Sequence, residues 1–205
     1  MRLINKPMKR LSLYLFLILF TLQTPSLADD IRDFQIEGMS IGDSLLDYLT
    51  EKEIKKEEQN STKMGKDFLI IYYYYKPSGS KLYDYVQVTY NVNDKKYLIH
   101  AIGGFLDFDD NIKACMDKKK EIQNEIKGLF KGAKIGHRKN KKHSADKSGK
   151  SKVWHFDITL KSGAWASVTC TDWSEKIYSE KKWKDALSIS VRSAEYTEFL
   201  RKYYK

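Results

Sequence analysis

Three groups of residues in this chain of 205 have the types and spacing to do chemistry. Ser148, Gly149, Lys150 and Ser151 repeat the tail of G-x-x-x-x-G-K-[ST], the loop whose backbone N–H groups cradle nucleotide phosphates. His155 and Asp157 stand two positions apart, so a strand would place both on one face as an acid/base pair. Cys115 and Cys170, the two cysteines of the chain, are separated by 55 positions and belong to no C-x-x-C.

The phosphate-loop match fails on its own terms. Ser144 occupies the position of the first glycine. A phosphate loop leaves a strand and opens a helix, whereas the segment here runs into "KVWHFDITL", which reads as a strand. Gly149 and its flanking serines therefore read as turn chemistry, and no nucleotide or other cofactor is expected. His137, His143 and His155 lack the i, i+4 or finger-like spacing of metal ligands, so no metal is expected either. No G-x-S-x-G or H-E-x-x-H is present. His155 with Asp157 reads first as a polar pair on an exposed sheet face, with a general acid/base pair as the alternative. Asp107, Asp109 and Asp110 fit the start of a helix, whose dipole favours acids there.

The strongest remaining signal is charge. From Lys131 to Lys152 there are nine Lys or Arg and one acid, Asp146. Residues 136–152 read as a basic linker, and Arg138, Lys139, Lys141, Lys142, Lys147 and Lys150 are its candidate anion-binding side chains. A solvated loop in a lysine-rich chain is the plainer account of the same residues.

The N-terminus bears on where such a surface would act. Arg2, Lys6, Lys9 and Arg10 precede the apolar run 11–22, and Ser26 and Ala28 occupy the −3 and −1 positions of a cleavage site. That is the pattern of a secretory signal peptide, 1–28, and the run is too short to span a bilayer. With no cysteine near the cut, neither a lipid anchor nor a transmembrane anchor is expected after cleavage. The leader carries four of the 37 basic residues and none of the 27 acids, so its removal lowers the formal net charge from +10 by four, to +6. Export to the periplasm or beyond makes a disulfide between Cys115 and Cys170 the default, and no nucleic acid is expected as a physiological ligand despite the charge.

The elements that must position these residues read as α+β, helix packed on antiparallel sheet. In the first half, 29–108, a helical reading covers the segment from Phe34 to Gln59, capped by Ser40 or Asp43 and restarted by a Thr50–Glu53 capping box. Strands follow at 67–76, with Tyr72 to Tyr75 alternating between faces, then a turn at 76–81, a strand at 82–92 and one through Gly103-Gly104, where a bend or bulge is expected. In the second half, 109–205, the helix 109–130 gathers Ile112, Cys115, Met116, Ile122, Ile126, Leu129 and Phe130 in one arc. Strands are expected at 152–160, 164–173 and 186–193, then a C-terminal helix with Ser193 as N-cap. Ala166, Val168 and Cys170 would face the core with Phe156 and Ile158, which turns Cys170 toward Cys115. The result is two loosely similar α-β-β-β halves plus a C-terminal helix, forming either one continuous sheet or two cores.

The stretches "FQIEGMSIGDSLLDYLTEKEIKK", "NIKACMDKKKEI", "ADKSGKSKV", "CTDWS" and "LSISVRSAEY" together resemble a group of small secreted proteins of unassigned function from marine alphaproteobacteria. "IEGMSIGDSLLDYL" is also similar to the first helical segment of small outer-membrane assembly lipoproteins, which implies a helix followed by antiparallel strands. Neither resemblance implies an activity or any site residue. The expectation is a non-enzymatic exported binding module whose basic loop meets an anionic envelope component or an acidic protein. The alternatives are an envelope-directed hydrolase using carboxylates and His155, and an inhibitor that plugs a hydrolase cleft with a protruding loop.

Overall fold

Eight antiparallel strands form one sheet. In chain order they are β1 (Thr62–Met64), β2 (Phe68–Tyr74), β3 (Tyr85–Asn91), β4 (Ile99–Asp109), β5 (Lys134–Lys142), β6 (Lys152–Thr159), β7 (Trp165–Asp172) and β8 (Asp185–Arg192). Their order across the sheet is β1-β2-β3-β4-β8-β7-β6-β5. The computed structural model describes residues 30–74 and 82–205. The leader 1–28, Tyr75 and the turn expected at 76–81 lie outside the described residues, as do the side chains of Tyr73, Tyr74 and residues 138–140.

The helices are α1 (Glu51–Glu57), α2 (Ile112–Leu129), α3 (Glu175–Lys181) and α4 (Ala194–Tyr203). Thr50 caps α1 through the expected capping box: its hydroxyl accepts from the Glu53 N–H, and the Glu53 carboxylate accepts from the Thr50 N–H. Upstream, the helical reading of 34–49 does not hold. Glu37, Gly38 and Gly42 have positive φ, which breaks the segment into turns before a short 3-10 turn at Leu45–Asp47. Ile36, Ile41 and Leu45 still reach the core from those turns.

Each half contributes a leading helix and four strands, one strand more than the sequence pattern suggests, and in the second half α3 separates β7 from β8 and α4 follows β8. The halves meet where β4 pairs with β8, Ala101 opposite Arg192 through to Leu106 opposite Leu187. Val86, Val88, Ile102, Phe156, Ile158, Val168, Leu187, Ile189 and Val191 line the covered face and are essentially inaccessible to solvent. Gly103 and Gly104 do not bulge; both sit in regular register with β3 and β8. Gly104 is there for space: a Cβ would lie 2.6 Å from the Tyr83 ring. Asn111, not an aspartate, caps α2, and the first turn of that helix holds no acid. Asp109 instead pairs with Lys184 at 2.8 Å.

Cys115 and Cys170 are bonded, with their Cα atoms 6.0 Å apart. The bond pins α2 over β7 and β8, and Ile122 and Ile126 complete the buried stripe, while Leu129 turns out to be exposed. On the opposite face of the sheet, α4 covers one corner, packing Tyr196, Phe199 and Leu200 around Phe68 and Ala101. Ser193 caps it as expected. Among the described residues no helix is long and apolar enough to cross a membrane.

Candidate functional site

The first part of the segment 136–152 expected as linker belongs instead to the edge strand β5, paired with β6 along one side. An edge strand needs no apolar alternation, because it is half solvated and lysine there discourages pairing with other chains. At Gly136 a Cβ would come within 2.7 Å of the Asp157 carboxylate on the neighbouring strand, so any larger residue would displace that side chain. Lys141 and Lys142 are exposed at the end of β5, and Lys147 and Lys150 are exposed on the turn that joins it to β6. Arg138 and Lys139 lie on β5 by backbone. The structure thus gathers four of the six candidate lysines and arginines at one tip.

That tip is a knotted turn. The Asp146 carboxylate is buried and accepts from the Ser148 N–H (2.9 Å), the Ser151 N–H (2.9 Å), the Ser151 hydroxyl (2.7 Å) and the Ser174 hydroxyl (2.9 Å). The bonds from Ser151 and Ser148 hold its pKa well below the usual carboxylate range. Ser151 has no exposed surface and also accepts from the Ser174 N–H at 2.9 Å. The serine of the apparent phosphate motif is therefore a structural relay that ties the turn to the start of α3. Because the one acid of the segment is turned inward, Lys141, Lys142, Lys147 and Lys150 form no ion pair among the described residues.

The helix α3, which the sequence pattern did not reveal, adds an aromatic cluster beside the tip. Trp173 contacts His143 at 4.2 Å and Trp183 at 4.7 Å between ring centroids, and the Lys181 ammonium lies 4.4 Å from the Trp183 ring. Burial pushes the His143 pKa down, and its Nδ1 accepts from the Ala145 N–H, so this ring is held neutral. The Trp-Ser-x-x-x-x-x-x-x-x-Trp spacing was the available signal, but a seven-residue helix carries too few turns to show periodicity.

His155 and Asp157 do converge. His155 Nε2 lies 3.2 Å from Asp157 Oδ1, its Nδ1 lies 2.7 Å from Thr169 Oγ1, and the imidazole stacks on Trp165 at 5.7 Å. Arg192 lies 4.2 Å over the Trp165 ring. The trio sits on the sheet face opposite α2, where β6, β7 and β8 are in continuous register and β5 shifts its register against β6 between Arg138 and Lys141. The backbone N–H groups of the interior strands beneath it are committed to the ladder. Its chemistry is that of a hydrogen-bonded bridge across β6 and β7. Beside it the face carries part-exposed Tyr85 stacked on Phe105 at 4.5 Å, with Ser188 and Ser190 between them and β7.

Beneath α2, on the other face, the sheet extends further than the helix does. The overhang leaves a groove of about 630 Å³ lined by Met116, Asp117, Lys119, Lys120 and Gln123 of α2 and by His137, Trp154 and His155 of the hairpin. No three His, Cys, Asp or Glu among the described residues are grouped to hold a metal ion. No protein-family model, curated protein or solved structure matches this chain.

Proposed function

We propose that this protein is an exported binding module that engages an acidic protein surface through the tip of the β5–β6 hairpin and the neighbouring sheet face. One observation carries the reading: four lysines are held at that tip by a turn whose single acid is consumed internally. A rigid turn presents fixed charge, whereas a mobile lysine loop would lose entropy on binding. The sheet face opposite α2 supplies Tyr85 and Phe105, with Trp165 and Arg192 at its end away from the tip, residue types enriched in protein interfaces. The disulfide between Cys115 and Cys170 is compatible with export.

The test compares wild type with K141Q/K142Q/K147Q/K150Q for binding to poly-L-glutamate and to phosphatidylglycerol vesicles. The expected result is salt-sensitive binding to the acidic polypeptide that weakens by at least about tenfold in the variant. Binding to vesicles alone would move the reading to a membrane surface. Salt-insensitive binding that the variant retains would end it.

A further inference from the structure

We infer that the pocket beside Arg192, on the sheet face opposite α2, binds the carboxylate of a small aromatic acid, a monoanion with a flat apolar body. Strand register builds the pocket. Gln87, Gly103 and Ser190 pair in one row across β3, β4 and β8, and Ala101 and Arg192 pair in the next. Directly paired residues share a face, so these side chains rise on one side of the sheet. Gly103 and Ala101 raise little there, and a hollow of about 70 Å³ remains between Gln87, Ser190, Arg192 and Tyr196 of α4. Gly103 keeps it open: a Cβ would lie 3.2 Å from the Phe105 ring and 3.3 Å from the Ser190 hydroxyl.

Arg192 is the one charged residue among those lining the hollow. Its guanidinium lies over the Trp165 ring at 4.2 Å and makes no ion pair or hydrogen bond among the described residues. Burial lowers its pKa, and the ionisable groups that act on its charge are the phenols of Tyr196 and Tyr204, with no carboxylate among them. Glu195, in the first turn of α4, faces His100 at 3.5 Å instead. The Gln87 amide and the Ser190 hydroxyl also make no side-chain hydrogen bond among the described residues. The Trp165 face offsets part of the cost of desolvating the guanidinium, and an anion in its plane would offset more.

Size and charge choose among anions. Whole small-molecule sites run to roughly 300–1,000 Å³, so a hollow of about 70 Å³ takes a head group alone. One guanidinium balances one charge and its fork matches a carboxylate bidentately, whereas a phosphate monoester brings about −1.5 to −2. The body of the ligand must then lie along the sheet face, where Phe105 borders the hollow and Tyr85 stacks on Phe105 at 4.5 Å. Arg192 stands at the end of the sheet away from the hairpin tip, so this site does not depend on the reading given to the tip.

The probes are 3-phenylpropionate, its neutral amide 3-phenylpropionamide, and phenyl phosphate, each titrated into the nitrogen-15-labelled protein and followed by NMR. The acid should give one saturable set of shifts that includes the Arg192 Nε–H and the Gln87 side-chain amide. The amide and phenyl phosphate should each bind at least about tenfold more weakly, and Arg192→Gln should weaken the acid by a similar factor. Arg192→Lys keeps the stem and the charge but loses the fork, so it stays folded even if Arg192→Gln does not, and should cost about fivefold or more. K141Q/K142Q/K147Q/K150Q should bind the acid as wild type does. Equal affinity for acid and amide, equal or tighter binding of phenyl phosphate, or full binding in folded Arg192→Lys would overturn the proposal. So would loss of binding in the tip variant, which would place the carboxylate at the lysines. Displacement of the acid from the tip variant by poly-L-glutamate at equal carboxylate concentration would overturn it too, by assigning the pocket to a protein ligand.

Discussion

At the scale of single residues, Ser151 sets the shape of the basic turn. Its hydroxyl donates to Asp146 and accepts from the Ser174 N–H, with no surface left to water. Ser151→Ala leaves a carboxylate and an amide each short of a partner, so urea denaturation should register a loss of about 1–3 kcal/mol. Asp146 gives the same turn a pH dependence of known sign. Its folded pKa is depressed, so its contribution is fully present above the unfolded value near about 4 and is lost as pH falls toward the folded value. The stability gap between wild type and Asp146→Asn should therefore narrow below about pH 4. A gap that stays constant from neutral pH down to about pH 2 would contradict the bonded carboxylate. The sequence shows that Gly149 and the serines make a turn, because turn residues act locally. It does not show that Asp146 is the organiser, because the partner Ser174 lies 28 positions away.

At the scale of elements, the disulfide is the main constraint on α2. Closing a loop of 55 positions restricts the unfolded chain by about 4 kcal/mol on entropy scaling, so Cys115→Ala with Cys170→Ala should lower stability by that order in denaturant titration. The same double variant should loosen the groove, because α2 is held over β7 and β8 beside it. This pairing was legible in the sequence: strand alternation turned Cys170 inward with Ala166 and Val168, and helical periodicity did the same for Cys115 with Ile122 and Ile126. Glycines were harder to read. Gly103-Gly104 looks like a bend, yet the strand passes straight through, and the pressure on Gly104 comes from Tyr83, outside the strand. Gly104→Ala should cost about 1–3 kcal/mol by overpacking, read as a lower thermal midpoint. A neutral substitution would mean that the Tyr83 ring moves aside freely.

At the scale of the whole molecule, the sheet order reveals an approximate two-fold relation: β1 to β4 on one side of the β4–β8 seam match β5 to β8 on the other. The two strands missed in the sequence, β1 and β5, are the two outer edges, each following directly on a helix. Both escaped detection for one reason: a strand paired on a single side and facing solvent needs no apolar alternation, so its lysines and threonines look like loop. The seam itself predicts how the molecule unfolds. Trp154, Trp165, Trp173 and Trp183 all lie in the second half, so tryptophan fluorescence reports that half alone. Ile71 lies on β2 in the first half, fully buried, and Ile71→Ala should cost about 2–5 kcal/mol. If β4 and β8 join the halves into one cooperative unit, this substitution must lower the fluorescence midpoint as much as the far-UV circular dichroism midpoint. An unchanged tryptophan transition beside a shifted dichroism curve would show two independently stable halves. The continuous pairing of seven central residues, from Ala101 opposite Arg192 to Asp107 opposite Ala186, together with the burial of Ile102, Leu187, Ile189 and Val191 along it, argues for the single transition.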